Sequence, residues 1–125
     1  MVSSFVEKRV DPRAEIEEEA RYKILSEEET GASYGYEKAV TKNISKGGVC
    51  MAIPRKLEVG HVIRVELPIP EEGKERNIKA FCEVQWCKKL HDSDTFEIGL
   101  SFIALKEEDA EFLGSYVDVN VKRAM

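Results

Sequence analysis

Apolar and polar residues alternate over most of the chain. From His61 to Ile69 the odd positions Ile63, Val65, Leu67 and Ile69 are apolar, while Arg64 and Glu66 fall between them, the signature of a half-buried strand. "PEEGKER" then turns the chain, and from Ile78 the even positions Ala80, Cys82, Val84 and Trp86 repeat the pattern. After "HDSD" the same alternation returns in Phe96, Ile98, Leu100 and Phe102, which predicts three antiparallel strands in succession. Upstream, "YEKAVTK" and "GVCMAI" read as two more, joined by the short loop "NISKGG". The acidic segment "AEIEEEARYKILSEEE" fits two periods. Ile16, Ala20 and Ile24 make a helical i+4 stripe, yet Ala14, Ile16, Ala20, Tyr22 and Ile24 also alternate with charged neighbours, and its glutamates favour helix. A sheet of five other strands would offer it pairing partners, but the residues by themselves leave helix and strand nearly even.

The last element has a different period. "LKEEDAEFLGSYVDVNVKR" places Leu105, Phe112, Leu113, Tyr116 and Val117 on one face, with acids in the first turn and Lys122 and Arg123 at the end, matching the helix dipole. The pattern therefore predicts an all-β fold of about six antiparallel strands followed by a C-terminal helix. A sheet so short hides its edges most readily by closing into a barrel.

Composition narrows the function classes. The 125 residues are 42% hydrophobic and 34% charged, which suits one soluble globular domain. No apolar run approaches the roughly 20 residues that span a bilayer, and "MVSSFVEKRV" lacks a signal peptide's apolar region. A cytoplasmic protein without membrane insertion is expected. Cys50, Cys82 and Cys87 are an odd set without Cys-x-x-Cys spacing, which points to buried free thiols, with no metal site and no cofactor expected. His61 and His91 sit at a strand start and a turn, and no nucleophile-base or paired-carboxylate set accompanies them, so an enzyme is not expected. The net charge of -5 opposes coating DNA or RNA, and the predicted core takes up most of the aromatic residues that a single-strand binder would expose. Any anion site must be local.

Two segments offer such a site. "EKRVDPR" gathers Lys8, Arg9 and Arg13 just ahead of the first strand, and the loop supplies Asn43, Ser45, Gly47 and Gly48. Asn, Ser and Gly are ordinary turn residues, and the strand that follows rules against a phosphate loop opening a helix. Together, however, the Arg-x-x-x-Arg arm "RVDPR" and the Asn-x-Ser-x-x-Gly loop "NISKGG" resemble the PilZ family, and "EIGLSF", with Gly99 and Phe102, is similar to that family's Gly-x-x-Phe strand. The match runs from about Glu7 through the final helix.

The resemblance implies a single domain over residues 1–125. Residues 1–13 would form a mobile arm, 14–104 a six-stranded antiparallel PilZ-type barrel, and 105–123 the helix. It also implies a cyclic di-GMP receptor that binds through Arg9, Arg13, Asn43, Ser45 and Gly48, with Lys8, Gly47 and Gly99 beside them, and that signals through a downstream protein. The residue types suit that ligand. A guanidinium fork engages the O6 and N7 acceptors of guanine or grips phosphate, the Asn43 oxygen can accept from the base's donor-rich edge, the Ser45 hydroxyl can serve base or phosphate, and Gly48 leaves the floor clear of a Cβ. Lys8 would favour a stacked pair of ligand molecules or would simply be solvated. A PilZ-like module that binds partners without nucleotide stays open as the rival reading.

Overall fold

The computed structural model describes residues 13–25, 36–91 and 93–124. Seven strands appear in it: β1 (Ala14–Glu15), β2 (Glu19–Ile24), β3 (Glu37–Ile44), β4 (Gly48–Ile53), β5 (Val62–Glu71), β6 (Lys74–Lys89) and β7 (Phe96–Leu105), followed by helix α1 (Glu107–Ala124). They pair in the order β1-β3-β2-β5-β6-β7-β4, and β4 pairs back onto β3. Six strands thus close into an antiparallel barrel, with the two-residue β1 appended to β3, and the helix follows as expected.

Alternation builds the wall. Along β5, Ile63, Val65, Leu67 and Ile69 are buried, and β6 supplies Ile78, Ala80, Cys82 and Val84 from across the ladder. A two-residue turn joins them. Glu72 and Gly73 both take positive φ, 38° and 80°, as the twist-matched hairpin turn requires. Pro68 and Pro70 enter β5 only beyond Glu66, the last residue paired with β2, so their missing N–H groups interrupt no second ladder.

The acidic segment is strand in two pieces. Ala14, Ile16, Ala20, Tyr22 and Ile24 all point into the core, so period two prevails over the helical propensity of the glutamates. Residues 16–18 interrupt it, although Ile16 N–H still donates to the Lys42 carbonyl and Thr41 N–H to that of Glu18, at 3.1 and 2.9 Å. The facing strand explains the break: β3 is irregular between Thr41 and Asn43, with one residue extra against β4.

Helix α1 packs against β1. Leu113 and Val117 are buried, and Phe112 and Tyr116 stack at 6.1 Å and cover the rest of the seam. Arg76 of β6 fixes its start. The guanidinium donates to Asp109 Oδ1 at 3.1 Å and lies 4.8 Å from the Phe112 ring centroid, and the bond to Asp109 raises its pKa further.

One core expectation needs correction. Trp86 is 42% exposed, and so is Phe81 at 41%; Tyr22 alone among the described aromatic residues is completely buried. The cause is a bulge. Val84 pairs with Leu100 and Trp86 with Gly99, so Gln85 is an extra residue, and the added residue turns Trp86 to the outer face.

Candidate functional site

The β3–β4 loop is built around one hydroxyl. Ser45 is buried, and its Oγ accepts the N–H groups of Gly47 and Gly48 at 3.2 and 3.1 Å while lying 3.3 Å from the Gly48 carbonyl. Ser45 N–H donates to the same carbonyl at 2.8 Å. The turn is then tied outward: Gly47 C=O accepts from Phe102 N–H of β7 at 2.8 Å, and Lys46 pairs with Asp118 of α1 at 3.2 Å. Ser45 thus shapes the loop, its hydroxyl engaged by the backbone of its own turn.

Two glycines make room of different kinds. A Cβ on Gly48 would collide with the Leu100 carbonyl of β7, so the residue is small because two strands approach there. A Cβ on Gly99 would collide with the Trp86 indole. The ring lies directly across the bare Gly99 backbone.

Arg13 stands at the start of β1 and is exposed; its Nη1 donates to Asn43 Oδ1 at 2.8 Å. Asn43 is placed for this by the β3 irregularity, since it faces Glu15 of β1 on one side and Cys50 of β4 on the other. With its oxygen accepting from Arg13, the amide of Asn43 still has its N–H groups to offer.

These parts line one pocket. Arg13, Ser45, Gly47, Gly48 and Gly99 border a cavity of about 200 Å³, with Gln85, Trp86 and Ser101 completing its wall. That volume is below the ~300–1,000 Å³ of a site enclosing a whole small molecule, and suits one base or phosphate. Gln85 Nε2 donates to Ser101 Oγ at 2.9 Å and to Glu83 Oε1 at 3.3 Å, which fixes the amide along the rim. Of the residues expected from sequence, the structure brings Arg13, Ser45, Gly47, Gly48 and Gly99 together, with Asn43 bonded to Arg13. Lys8 and Arg9 lie outside the described residues. Sequence reasoning missed Trp86, Gln85 and Ser101, and the signal that could have found Trp86 is the unfilled Gly99 opposite it.

Other chemistry is sparse. Among the described residues no group of three or more His, Cys, Asp or Glu could hold a metal ion, and no helix there is long and apolar enough to cross a membrane. Cys50 and Cys82 are buried free thiols and Cys87 a half-buried one. Burial pushes the Cys82 thiol up to about 12, and burial reinforced by Glu97 pushes Cys50 up to about 11.

The architecture has solved counterparts. A Bacillus subtilis inhibitor of motility, MotI/DgrA, superposes with a TM-score of 0.72 at 18% identity, over 87% of this chain and 49% of that one. The chain thus spans about half the length of the Bacillus structure. The PilZ domain of YcgR from Escherichia coli, solved with c-di-GMP, gives 0.65 at 12% identity over 94% of both chains. A tetrameric PilZ domain from a pathogenic protein of Xanthomonas campestris gives 0.54 at 17%, over 80% of this chain and 54% of that one. These likenesses concern the fold. No curated protein matches the sequence. The model of the PilZ domain, by contrast, matches residues 7–118, nearly the whole barrel and helix, and the chain belongs to the PilZ domain family.

Proposed function

We propose that the chain is a cyclic di-GMP receptor, with the ligand held between the N-terminal arm and the β3–β4 loop. The observation that carries this reading is the Arg13 guanidinium fixed by Asn43 at 2.8 Å on the rim of a glycine-floored pocket. A guanidinium so oriented spends one donor on Asn43 and keeps the rest for O6 and N7 of guanine or for a phosphate oxygen. Trp86 offers an indole face beside it, and base stacking on an aromatic platform contributes about 1–3 kcal/mol. The pocket takes one base, and Arg9 and Lys8 are the further cations proposed for the remainder of the dinucleotide. Family membership and the c-di-GMP in the E. coli relative agree with this reading.

The receptor acts by contact. Ligand bridging arm and loop changes the surface offered to a partner protein, and the free energy for that change comes from tighter binding to the bridged state.

Calorimetric titration with cyclic di-GMP tests the proposal. Saturable binding is expected, and Arg13→Ala, Arg9→Ala and Asn43→Ala each weaken it by about 10- to 100-fold, the equivalent of one hydrogen bond to a charged group at ~1.5–3 kcal/mol. Unchanged circular dichroism in the variants separates lost contacts from lost fold. Two ligands per chain would assign Lys8 to a stacked pair. A titration without heat or saturation leaves the nucleotide-free partner module as the reading.

A further inference from the structure

The outer wall carries a second groove of different chemistry. Register assembles it: Lys23 of β2 pairs with Arg64 of β5, Arg64 with Phe81 of β6, and Phe81 with Ala104 of β7. The neighbours of these residues on β2, β5 and β6 are buried, so the four side chains form one row on the outside. The Arg64 guanidinium lies 5.6 Å from the Phe81 ring centroid, and the Lys23 ammonium is equally far from that of Tyr36. Lys79 and Lys106 flank the row, and with Leu105 they border a cavity of about 370 Å³.

Its charge is what sets it apart. The chain has a net charge of -5, yet the charged residues that line this groove are Arg64, Lys79 and Lys106, with no carboxylate. Among the described residues Lys79 and Lys106 form no ion pair. The neighbouring hollow is mixed, with Glu18, Glu19, Glu66 and Glu75 outnumbering Arg21 and Lys38 in its lining. Glu66, opposite Lys79 in the ladder, is engaged by Arg21 and Asn77 at 3.8 and 3.4 Å, so cations predominate in a groove with an exposed aromatic ring at its centre, which gives charge and apolar contact at one place.

We propose that this groove docks an acidic segment of a partner protein that carries a large apolar side chain between its carboxylates. The carboxylates would meet Arg64, Lys79 and Lys106, and the apolar group would cover Phe81 and Leu105. Arg64 and Phe81 are each paired on both sides, so a partner lying over them finds no free edge there and must be read through side chains. The net negative charge disfavours a long polyanion. Phe81 and Trp86 lie on the same face of β6, about 16 Å apart at ~3.3 Å per residue, so the groove and the nucleotide pocket share β6 and β7. The docking proposal goes beyond the nucleotide reading and is tested without ligand.

The full chain, labelled with 15N, is titrated with the peptide acetyl-Glu-Glu-Phe-Glu-Glu-amide. Chemical-shift changes are expected at residues 64, 79–81 and 104–106. Affinity falls at least tenfold in an Arg64→Glu, Lys79→Glu double variant and in Phe81→Ala, and is unchanged in Lys88→Glu, a lysine outside the groove. Undisturbed resonances elsewhere certify the variants' fold. Shifts centred on Arg13 or spread over all lysines overturn the proposal, as does equal binding of tetraglutamate, which lacks the apolar group. Stronger binding of oligo-dT or phosphatidylserine vesicles to the same residues overturns it in favour of another polyanion. Binding that emerges only after Glu27, Glu28 and Glu29 are changed to Gln assigns the groove to the chain's own acidic run, and overturns it likewise.

Discussion

Replacing Gly99 by Ala tests how the pocket is built, because the added methyl has a specific obstacle. The new Cβ overlaps the Trp86 indole, while the backbone at Gly99 lies outside the left-handed region and accepts alanine. The ring must move. Overpacking costs about 1–3 kcal/mol in closed cores, and because this ring is 42% exposed and can swing toward solvent, the low end applies: about 1 kcal/mol, a fall of about 3–5 °C in Tm for a domain of this size. A displaced indole no longer offers its face to a base. Affinity for cyclic di-GMP should fall by about 5- to 150-fold, the equivalent of ~1–3 kcal/mol of stacking. Trp86 is the only tryptophan in the chain, so its intrinsic fluorescence reports the movement directly, as a red shift in Gly99→Ala. The decisive measurement is the pair of variants. In a Trp86→Ala background the obstacle is gone, and Gly99→Ala should become neutral or stabilise by about 0.4–1 kcal/mol through the unfolded chain. Gly99→Ala that destabilises equally with and without the indole would refute the reasoning. Gly48→Ala supplies the contrast, for there the obstacle is the Leu100 carbonyl, and no side-chain deletion should rescue it.

Ser45→Ala removes the acceptor for Gly47 and Gly48 N–H and leaves a buried donor unpaired, so urea unfolding should show a loss of about 1–3 kcal/mol; a change below about 0.3 kcal/mol would show that the turn does not depend on the hydroxyl. The buried thiols predict alkaline weakening. Cys82 ionises at about 12 in the fold against 9.0 when unfolded, so the unfolded chain loses this proton first. Stability is unaffected by it below pH 9 and falls as pH rises from there toward 12, on the order of 1 kcal/mol per pH unit. Urea midpoints across that window should decline more gently in Cys82→Ala than in the parent, and equal slopes would count against it.

Most strands could be read from alternation, because a wall with one face in the core and one in water imposes period two directly. The acidic segment was the hard case. Its composition favours helix, and only pairing with β3 and β5, which are distant in sequence, decides for strand. At Trp86 alternation misleads: one extra residue at Gln85 reverses parity for the rest of the strand, and nothing local to "EVQWC" signals that insertion. The site divides along the same line. Asn43, Ser45, Gly47 and Gly48 form a contiguous loop and were legible from their spacing and the family likeness. Trp86, Gln85 and Ser101 come from two strands whose register is known only in the fold. What spacing did not show is how these residues hold one another, Asn43 Oδ1 accepting from Arg13 and Ser45 Oγ from its own turn.

The Ser45 turn joins β3 to β4, and that pairing completes the ring of strands. The same few residues therefore act as a clasp for the whole wall. An engineer who wished to transplant this loop or retune the pocket beside it would be rewriting the joint of the scaffold as well, so changes of specificity should be sought first at Trp86, which stands outside that joint with its ring partly exposed.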